Sequence, residues 1–191
     1  KGARKVLGTV PVEEDGSVYF KVPVNIPVYF QLLDEKGLTV QSMRSATYVK
    51  PGEELMCIGC HEGRHTSPLT AFGKLPLAIR RPPSEIAPEV VGSNPFSYPR
   101  LVQPVLDKHC VECHAKEPKA IDLARGPVDQ HFYTSYTNLR PFSFYYDDAA
   151  WTDPKTFPGQ FGARVSKLYQ LLDAGHYDVK LSEEEMRRLT L

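Results

Sequence analysis

Two short motifs with the same spacing account for every cysteine in this chain of 191 residues. Residues 57–61 read Cys-Ile-Gly-Cys-His, and residues 110–114 read Cys-Val-Glu-Cys-His. C-x-x-C-H is the attachment signature of c-type haem, in which two thiols bind the porphyrin covalently and the adjacent imidazole binds iron. The sequence therefore predicts two covalently attached haem c groups. The predicted haem-binding residues are Cys57, Cys60 and His61 at the first site and Cys110, Cys113 and His114 at the second.

Zinc is the main alternative for these cysteines, because two C-x-x-C pairs can form a tetrahedral site of four thiolates. Such a site has no use for a histidine after each pair, and the span from Cys60 to Cys110 is longer than usual between zinc-binding pairs. Redox-active thiols are a further alternative. A disulfide framework fits poorly, since a chain of this length can bury a core without covalent staples. A haem-free zinc-binding domain stays open beside the haem prediction.

Charge and hydropathy narrow the range of partners. The chain has 23 Lys and Arg residues against 23 Asp and Glu residues, so no basic field favours nucleic acid or a membrane surface. It has no apolar run long enough to span a bilayer, and no signal peptide at its start. Because c-type haem is normally attached outside the cytoplasmic membrane, we expect an extracytoplasmic location, in the periplasm, an equivalent compartment or the cell exterior. We also expect the chain to be a piece of a longer protein.

The first part of the chain has the patterns of β-strands. Apolar and polar residues alternate over 18–24, and residues 27–33 and 38–43 give two further strand patterns around the turn 35–37. These patterns predict a small antiparallel β-sandwich-like region over residues 1–92, which carries the first motif.

The second part has the patterns of helices. Leu101, Val102, Val105, Leu106 and His109 recur at helical spacing directly before the second motif. A further helix is predicted over 164–173, with Val165, Leu168, Leu171 and Leu172 on its apolar face and a stop at Gly175. Ser182 and Glu185 form a capping box that opens a last helix. The prediction for residues 93–191 is a mostly helical, class I-like cytochrome c domain, which makes the chain α+β.

Several sequence runs resemble the hydrazine synthase alpha subunit family. The runs are residues 8–12 with 15–17, residues 43–45 and 51–53 before Cys57, and residues 174–182 (Ala-Gly-His-Tyr-Asp-Val-Lys-Leu-Ser), so the resemblance extends over nearly the whole chain. It implies a middle domain whose covalent haem has an open iron position, followed by a domain whose haem has two histidine ligands. His176 stands where the family places the second of those histidines, so the resemblance implies His114 and His176 as the axial pair.

The first site has a second histidine, His65, four residues after His61. On a helical turn these two imidazoles would lie on one face, so they cannot bind opposite sides of one iron. In the resembled family the motif histidine turns to zinc and a tyrosine four residues later binds iron, and His65 stands at the position of that tyrosine. We expect His61 to bind iron as the motif requires, and His65 is a candidate ligand of iron or zinc.

Two other histidines are possible distal ligands. His109 directly precedes a motif cysteine, and His131 opens an aromatic segment that packs around a porphyrin in this interpretation. The favoured function is electron transfer by a dihaem cytochrome, which needs redox partner proteins or the subunits of a larger complex, or haem-to-haem stacking with other cytochromes. The alternative is a haem enzyme domain of the hydrazine synthase alpha type, an oxidoreductase that reacts at an open first haem.

Overall fold

The computed structural model describes residues 4–43, 45–58, 75–127, 131–143 and 157–191. Within them the fold is mixed, with one two-stranded antiparallel sheet and several short helices. The strands are β1 (Gln31–Leu33) and β2 (Thr39–Ser42), and short 3₁₀ helices span Leu77–Arg80, Arg140–Phe142 and Ala163–Val165. The α-helices are α1 (Tyr98–Leu101), α2 (Gln103–His109), α3 (Val111–Lys116), α4 (Thr134–Leu139), α5 (Lys167–Asp173) and α6 (Glu183–Thr190). No helix in these ranges is long and apolar enough to cross a membrane.

The chain groups into two units with interleaved bounds. One, called here the N-terminal unit, comprises Leu7–Gln31 and Ser42–Glu89. The other, the helical unit, comprises Lys1–Val6, Leu32–Gln41 and Val90–Leu191. The expected division into domains of residues 1–92 and 93–191 stays a prediction.

The N-terminal unit has less sheet than the predicted β-sandwich. Its described residues are joined by isolated bridges that pair Thr9 with Ala87, Phe20 with Ser84 and Val28 with Thr47. Proline explains much of the difference, because Pro11, Pro23 and Pro27 cannot donate to a ladder of hydrogen bonds. The predicted strand over residues 18–24 is therefore reduced to one bridge.

The core of the helical unit lies under the second motif. Leu106, Leu123 and Leu139 form its buried centre. Leu101 and Val105 are also buried, which confirms the helical spacing predicted before the motif. Partly buried apolar residues pack around the centre, among them Tyr98, Val102, Cys110, Val111, Ile121 and Leu168. The apolar stripe of α2 thus leads into the first cysteine of the second motif.

The β1–β2 hairpin holds the C-terminal helices of this unit. Arg164 pairs with Asp34 at 2.5 Å, and Lys36 pairs with Asp173 at 3.3 Å. The guanidinium of Arg187 donates to the carbonyl oxygen of Gly37 at 2.5 Å. The turn between the two strands is therefore tied to the 3₁₀ helix before α5, to the last residue of α5 and to α6.

The ends of α5 and α6 follow rules that act over a few residues. Ser166 caps α5 by accepting from the backbone N–H of Tyr169, and Gly175 ends it with a left-handed φ of 93°. The predicted capping box of Ser182 and Glu185 opens α6. The apolar face predicted for α5 is wrong at Leu171, which is exposed, while Tyr169 is buried instead.

Candidate functional site

The second motif lies where two helices meet. Cys110 is the junction between α2 and α3, and α3 carries the rest of the motif. Cys110 is half-buried against the core and Cys113 is exposed. Burial raises the pKa of the Cys110 thiol, and the nearby charge of Cys113 adds to the increase. Cys110 is the N-cap of α3 and Cys113 lies one turn later, a spacing that places the two thiols near each other, as attachment to a single ligand requires.

His114 has a defined orientation and tautomer. Its Nδ1 lies 2.8 Å from the backbone carbonyl oxygen of Ile121. A carbonyl only accepts, so Nδ1 carries a proton, and Nε2 is the nitrogen left to bind a metal. Histidines that bind metals typically donate their other ring N–H to a backbone carbonyl or carboxylate in this way. The described part of the chain supplies no hydrogen-bond partner to Nε2 of His114.

The segment that orients His114 is itself braced by side chains. Three consecutive carbonyl oxygens, of residues 121–123, each accept a bond from a different helix. His114 of α3 donates to Ile121, Asn138 of α4 to Asp122 at 2.8 Å, and Gln103 of α2 to Leu123 at 3.2 Å. We call this stretch the carbonyl ladder. It fixes the acceptor of His114 relative to three helices.

A buried polar network extends the carbonyl ladder into the core. Gln103 and Ser135 are fully buried, and the Ser135 hydroxyl donates to Oε1 of Gln103 at 2.5 Å. The Tyr98 hydroxyl donates to Ser135 at 3.1 Å, and burial raises the pKa of Tyr98 to about 12. Gln103 is not among the residues predicted from the sequence. The only local signal is its position three residues before Leu106, on the apolar side of α2.

His176 lies in the loop between α5 and α6. It is half-buried, and its ring centre is 6.2 Å from that of His114, with the ring planes at 54°. Its two neighbours, Gly175 and Tyr177, both have left-handed φ values, of 93° and 50°. The structure therefore brings together the two histidines that the family resemblance paired.

The separation of the two rings suits an ion held between them. Metal–imidazole bonds of about 2 Å on each side, plus the distances from nitrogen to ring centre, place two axial imidazoles about 6.3 Å apart. Both ring planes then contain the axis through the metal, so any angle between them is allowed. A packed aromatic pair can show the same distance. The protonated Nδ1 of His114 is an independent observation that fits metal ligation.

The residues present thus fit a c-type haem at this position. Cys110 and Cys113 supply adjacent thiols, and His114 supplies an oriented imidazole. His176 supplies a second ring at axial separation. Apolar core residues lie beside Cys110, where a porphyrin face would be covered.

The other predicted ligands lie elsewhere or outside the described residues. Nε2 of His109 donates to the Glu185 carboxylate at 2.9 Å, and both side chains are largely buried. His131 is exposed, with a φ of 91° and interactions of its own. Cys57 is exposed, whereas Cys60, His61 and His65 of the first site lie outside the described residues.

Glu185 forms a polar cluster with the two residues that precede the second motif, Lys108 and His109. It accepts from Lys108 at 2.7 Å, from His109 and from the backbone of Ser182 at 2.9 Å. These bonds lower the pKa of its carboxyl group far below the usual range, and the bond from Lys108 has the largest effect. The cluster ties α6 to the end of α2, so the loop that carries His176 is anchored at both sides. To bind an iron through Nε2, His109 would have to give up its bond to Glu185.

The described ranges contain no group of three or more His, Cys, Asp or Glu side chains arranged to hold a metal ion. The histidine pair is therefore the candidate site that the described structure offers.

Comparison with known proteins gives a match to one part of the chain. The family model of the hydrazine synthase alpha subunit middle domain matches residues 2–62. The hydrazine synthase subunit alpha of Kuenenia stuttgartiensis is 37% identical over 62 residues, which are 32% of this chain and 8% of that protein. No solved structure matches the chain. The first third of the chain, through the first motif, is therefore similar to the middle domain of the hydrazine synthase alpha subunit, and the resemblance of the remaining residues stays a prediction.

Proposed function

We propose that this chain is a dihaem c-type cytochrome module that transfers electrons outside the cytoplasm. The second haem would be attached through Cys110 and Cys113, with His114 and His176 as its axial ligands. One observation carries the proposal. His114 donates its Nδ1 proton to a braced carbonyl, while the ring of His176 lies at axial distance.

The protein's contribution in this proposal is to hold both ligands still. The haem iron supplies a one-electron redox couple, whose potential depends on the axial ligands and their hydrogen bonds. The carbonyl ladder fixes His114, and the helices on either side of His176 are tied to the hairpin and to α2. Ligation by both imidazoles would leave no open position for a substrate. A site of this kind suits relay of electrons.

A second candidate function is a haem enzyme domain of the hydrazine synthase alpha type, with an open first haem. The observation that favours it is the match over residues 2–62, which includes the whole first motif at 57–61. Under this proposal His61 would hold the iron of the first haem and His65 would bind iron or zinc, while the second haem would supply electron transfer. The similar protein is named as a subunit, so partner subunits in a larger complex are part of both proposals.

One set of measurements separates these proposals. The 191-residue chain is matured with haem-attachment machinery and characterised by intact mass, metal content and carbon monoxide difference spectra. Two covalent haems, neither of which binds carbon monoxide, would support the relay. Carbon monoxide binding at one haem of the wild type, with binding at a second haem added by His176→Ala, would support the enzyme domain. Bound zinc without covalent haem would refute both.

Histidine variants assign the ligands. His176→Ala should open the second iron to carbon monoxide and shift its potential. His109→Ala is the matched control. The His109 ring is bonded to Glu185, so its removal should leave the haem spectrum unchanged. The reverse pattern would show that His109 is the distal ligand. At the first site, His61→Ala should perturb the haem strongly and His65→Ala only weakly.

A further inference from the structure

The residue after His176 has an unusual backbone conformation for its type. Tyr177 has a φ of 50°, and it is 88% exposed. Glycine, asparagine and aspartate adopt this left-handed region more readily than other residues, and bulky side chains rarely do. Because the side chain gains little burial here, burial does not account for a tyrosine at this position.

The left-handed backbone instead brings Tyr177 against its neighbour. The ring centres of His176 and Tyr177 are 4.8 Å apart, with planes at 73°, which is an edge-to-face contact. In regular helices and strands, adjacent side chains point away from each other. The irregular backbone at Gly175 and Tyr177 therefore makes this contact between adjacent residues possible.

His176 differs from His114 in how its ring is held. His114 is fixed by the Ile121 carbonyl, whereas no described residue gives the His176 ring a hydrogen-bond partner. An imidazole bound to iron through one nitrogen can still rotate about that bond. The edge of the Tyr177 ring, 4.8 Å away between ring centres, is placed where it could limit this rotation.

We propose that Tyr177 is a positioning residue that sets the rotation of the His176 imidazole at the second haem. The inference rests on the proposed ligation of that haem by His114 and His176. The angle between the two imidazole planes, 54° here, governs the symmetry of the ligand field at the iron. Tyr177 therefore tunes the electronic state of the iron without binding it.

Three variants at this position test the proposal in the full chain with covalent haem. Tyr177→Phe keeps the ring. Tyr177→Asn and Tyr177→Gly remove the ring while accepting the left-handed backbone. The readouts are the g values of the low-spin ferric haem in electron paramagnetic resonance and the midpoint potential. The signal of the second haem is identified as the one that His176→Ala alters.

We expect Tyr177→Phe to keep the wild-type g values and potential, and both ring-less variants to shift them together or to admit carbon monoxide. Unchanged g values in both ring-less variants would overturn the proposal. An equal shift in Tyr177→Phe would also overturn it. Loss of haem confined to the ring-less variants would overturn it too, because Tyr177 would then act in haem attachment. Failure of the proposed function looks different, because the wild type itself would then lack a second haem with two histidine ligands.

Discussion

Replacement of Gln103 by leucine should destabilise the helical unit by about 2–3 kcal/mol. The substitution keeps the approximate size of a fully buried side chain but removes its bonds to Ser135 and to the Leu123 carbonyl. Each buried group that loses its partner costs about 1–3 kcal/mol, and the added apolar burial offsets part of the total. Asp107 also loses a bond, but its side chain is 39% exposed and pairs with Arg125, so water compensates.

Thermal unfolding followed by the helical signal in circular dichroism measures this effect, because the described α-helices all belong to the helical unit. For a chain of this size the expected fall in Tm is about 4–12 °C. Gln170→Leu is the matched control, since Gln170 is exposed on α5 and should change stability by less than about 0.5 kcal/mol. The double variant Gln103→Leu/Ser135→Ala should cost less than the sum of the single variants, because both remove one shared bond. A wild-type Tm for Gln103→Leu would refute the role given to the buried network.

Three further predictions concern local features. Gly8→Ala should destabilise the N-terminal unit and speed amide exchange at Thr9. An added Cβ would lie 1.9 Å from the Ala87 carbonyl oxygen, and the φ of 134° at Gly8 is unfavourable for alanine. An unchanged exchange rate at Thr9 would contradict this prediction. Ser166→Ala should lower stability by about 1 kcal/mol in denaturant unfolding, and Ser166→Thr, which keeps the hydroxyl, should retain the cap. Because folding lowers the pKa of Glu185, its carboxylate stabilises the fold at neutral pH, and this effect is lost as the pH falls below the pKa of the unfolded chain, near 4.5. Glu185→Gln should therefore reduce the loss of stability at acidic pH. An equally large loss in the stability–pH curve of that variant would assign the effect to other carboxyl groups.

Elements specified by neighbouring residues could be predicted from the sequence. The apolar spacing of Leu101, Val105 and Leu106 predicted buried helix, and these residues are buried. The capping box before α6 and the glycine stop after α5 were also predicted correctly, since each involves residues within one turn.

Features that depend on distant residues could not be predicted in the same way. The strand pattern over residues 18–24 forms only one bridge, because pairing needs a partner strand and Pro23 removes a donor. Burial of Tyr169 in place of Leu171 depends on the packing of α5. The carbonyl ladder uses backbone acceptors, which every residue has, so no sequence pattern marks it.

The candidate site combines both kinds of feature. The motif at Cys110–His114 is local, and the sequence predicted it from spacing alone. The partner ring of His176 was found only through the family resemblance, because no spacing rule links a loop between α5 and α6 to α3. The structure adds what neither source supplied, namely the bond from His114 to Ile121 that sets which nitrogen is available.

The two axial candidates are held in different ways, and this difference bears on both proposed functions. The ring of His114 is bonded to a carbonyl within a stretch that three helices brace. His176 lies in an irregular loop, where its ring contacts that of the exposed Tyr177. If the second haem is bound as proposed, its iron should therefore open on the His176 side. An electron relay and an iron open to small molecules would then differ by the position of one loop residue, while attachment through Cys110 and Cys113 and ligation by His114 stay the same.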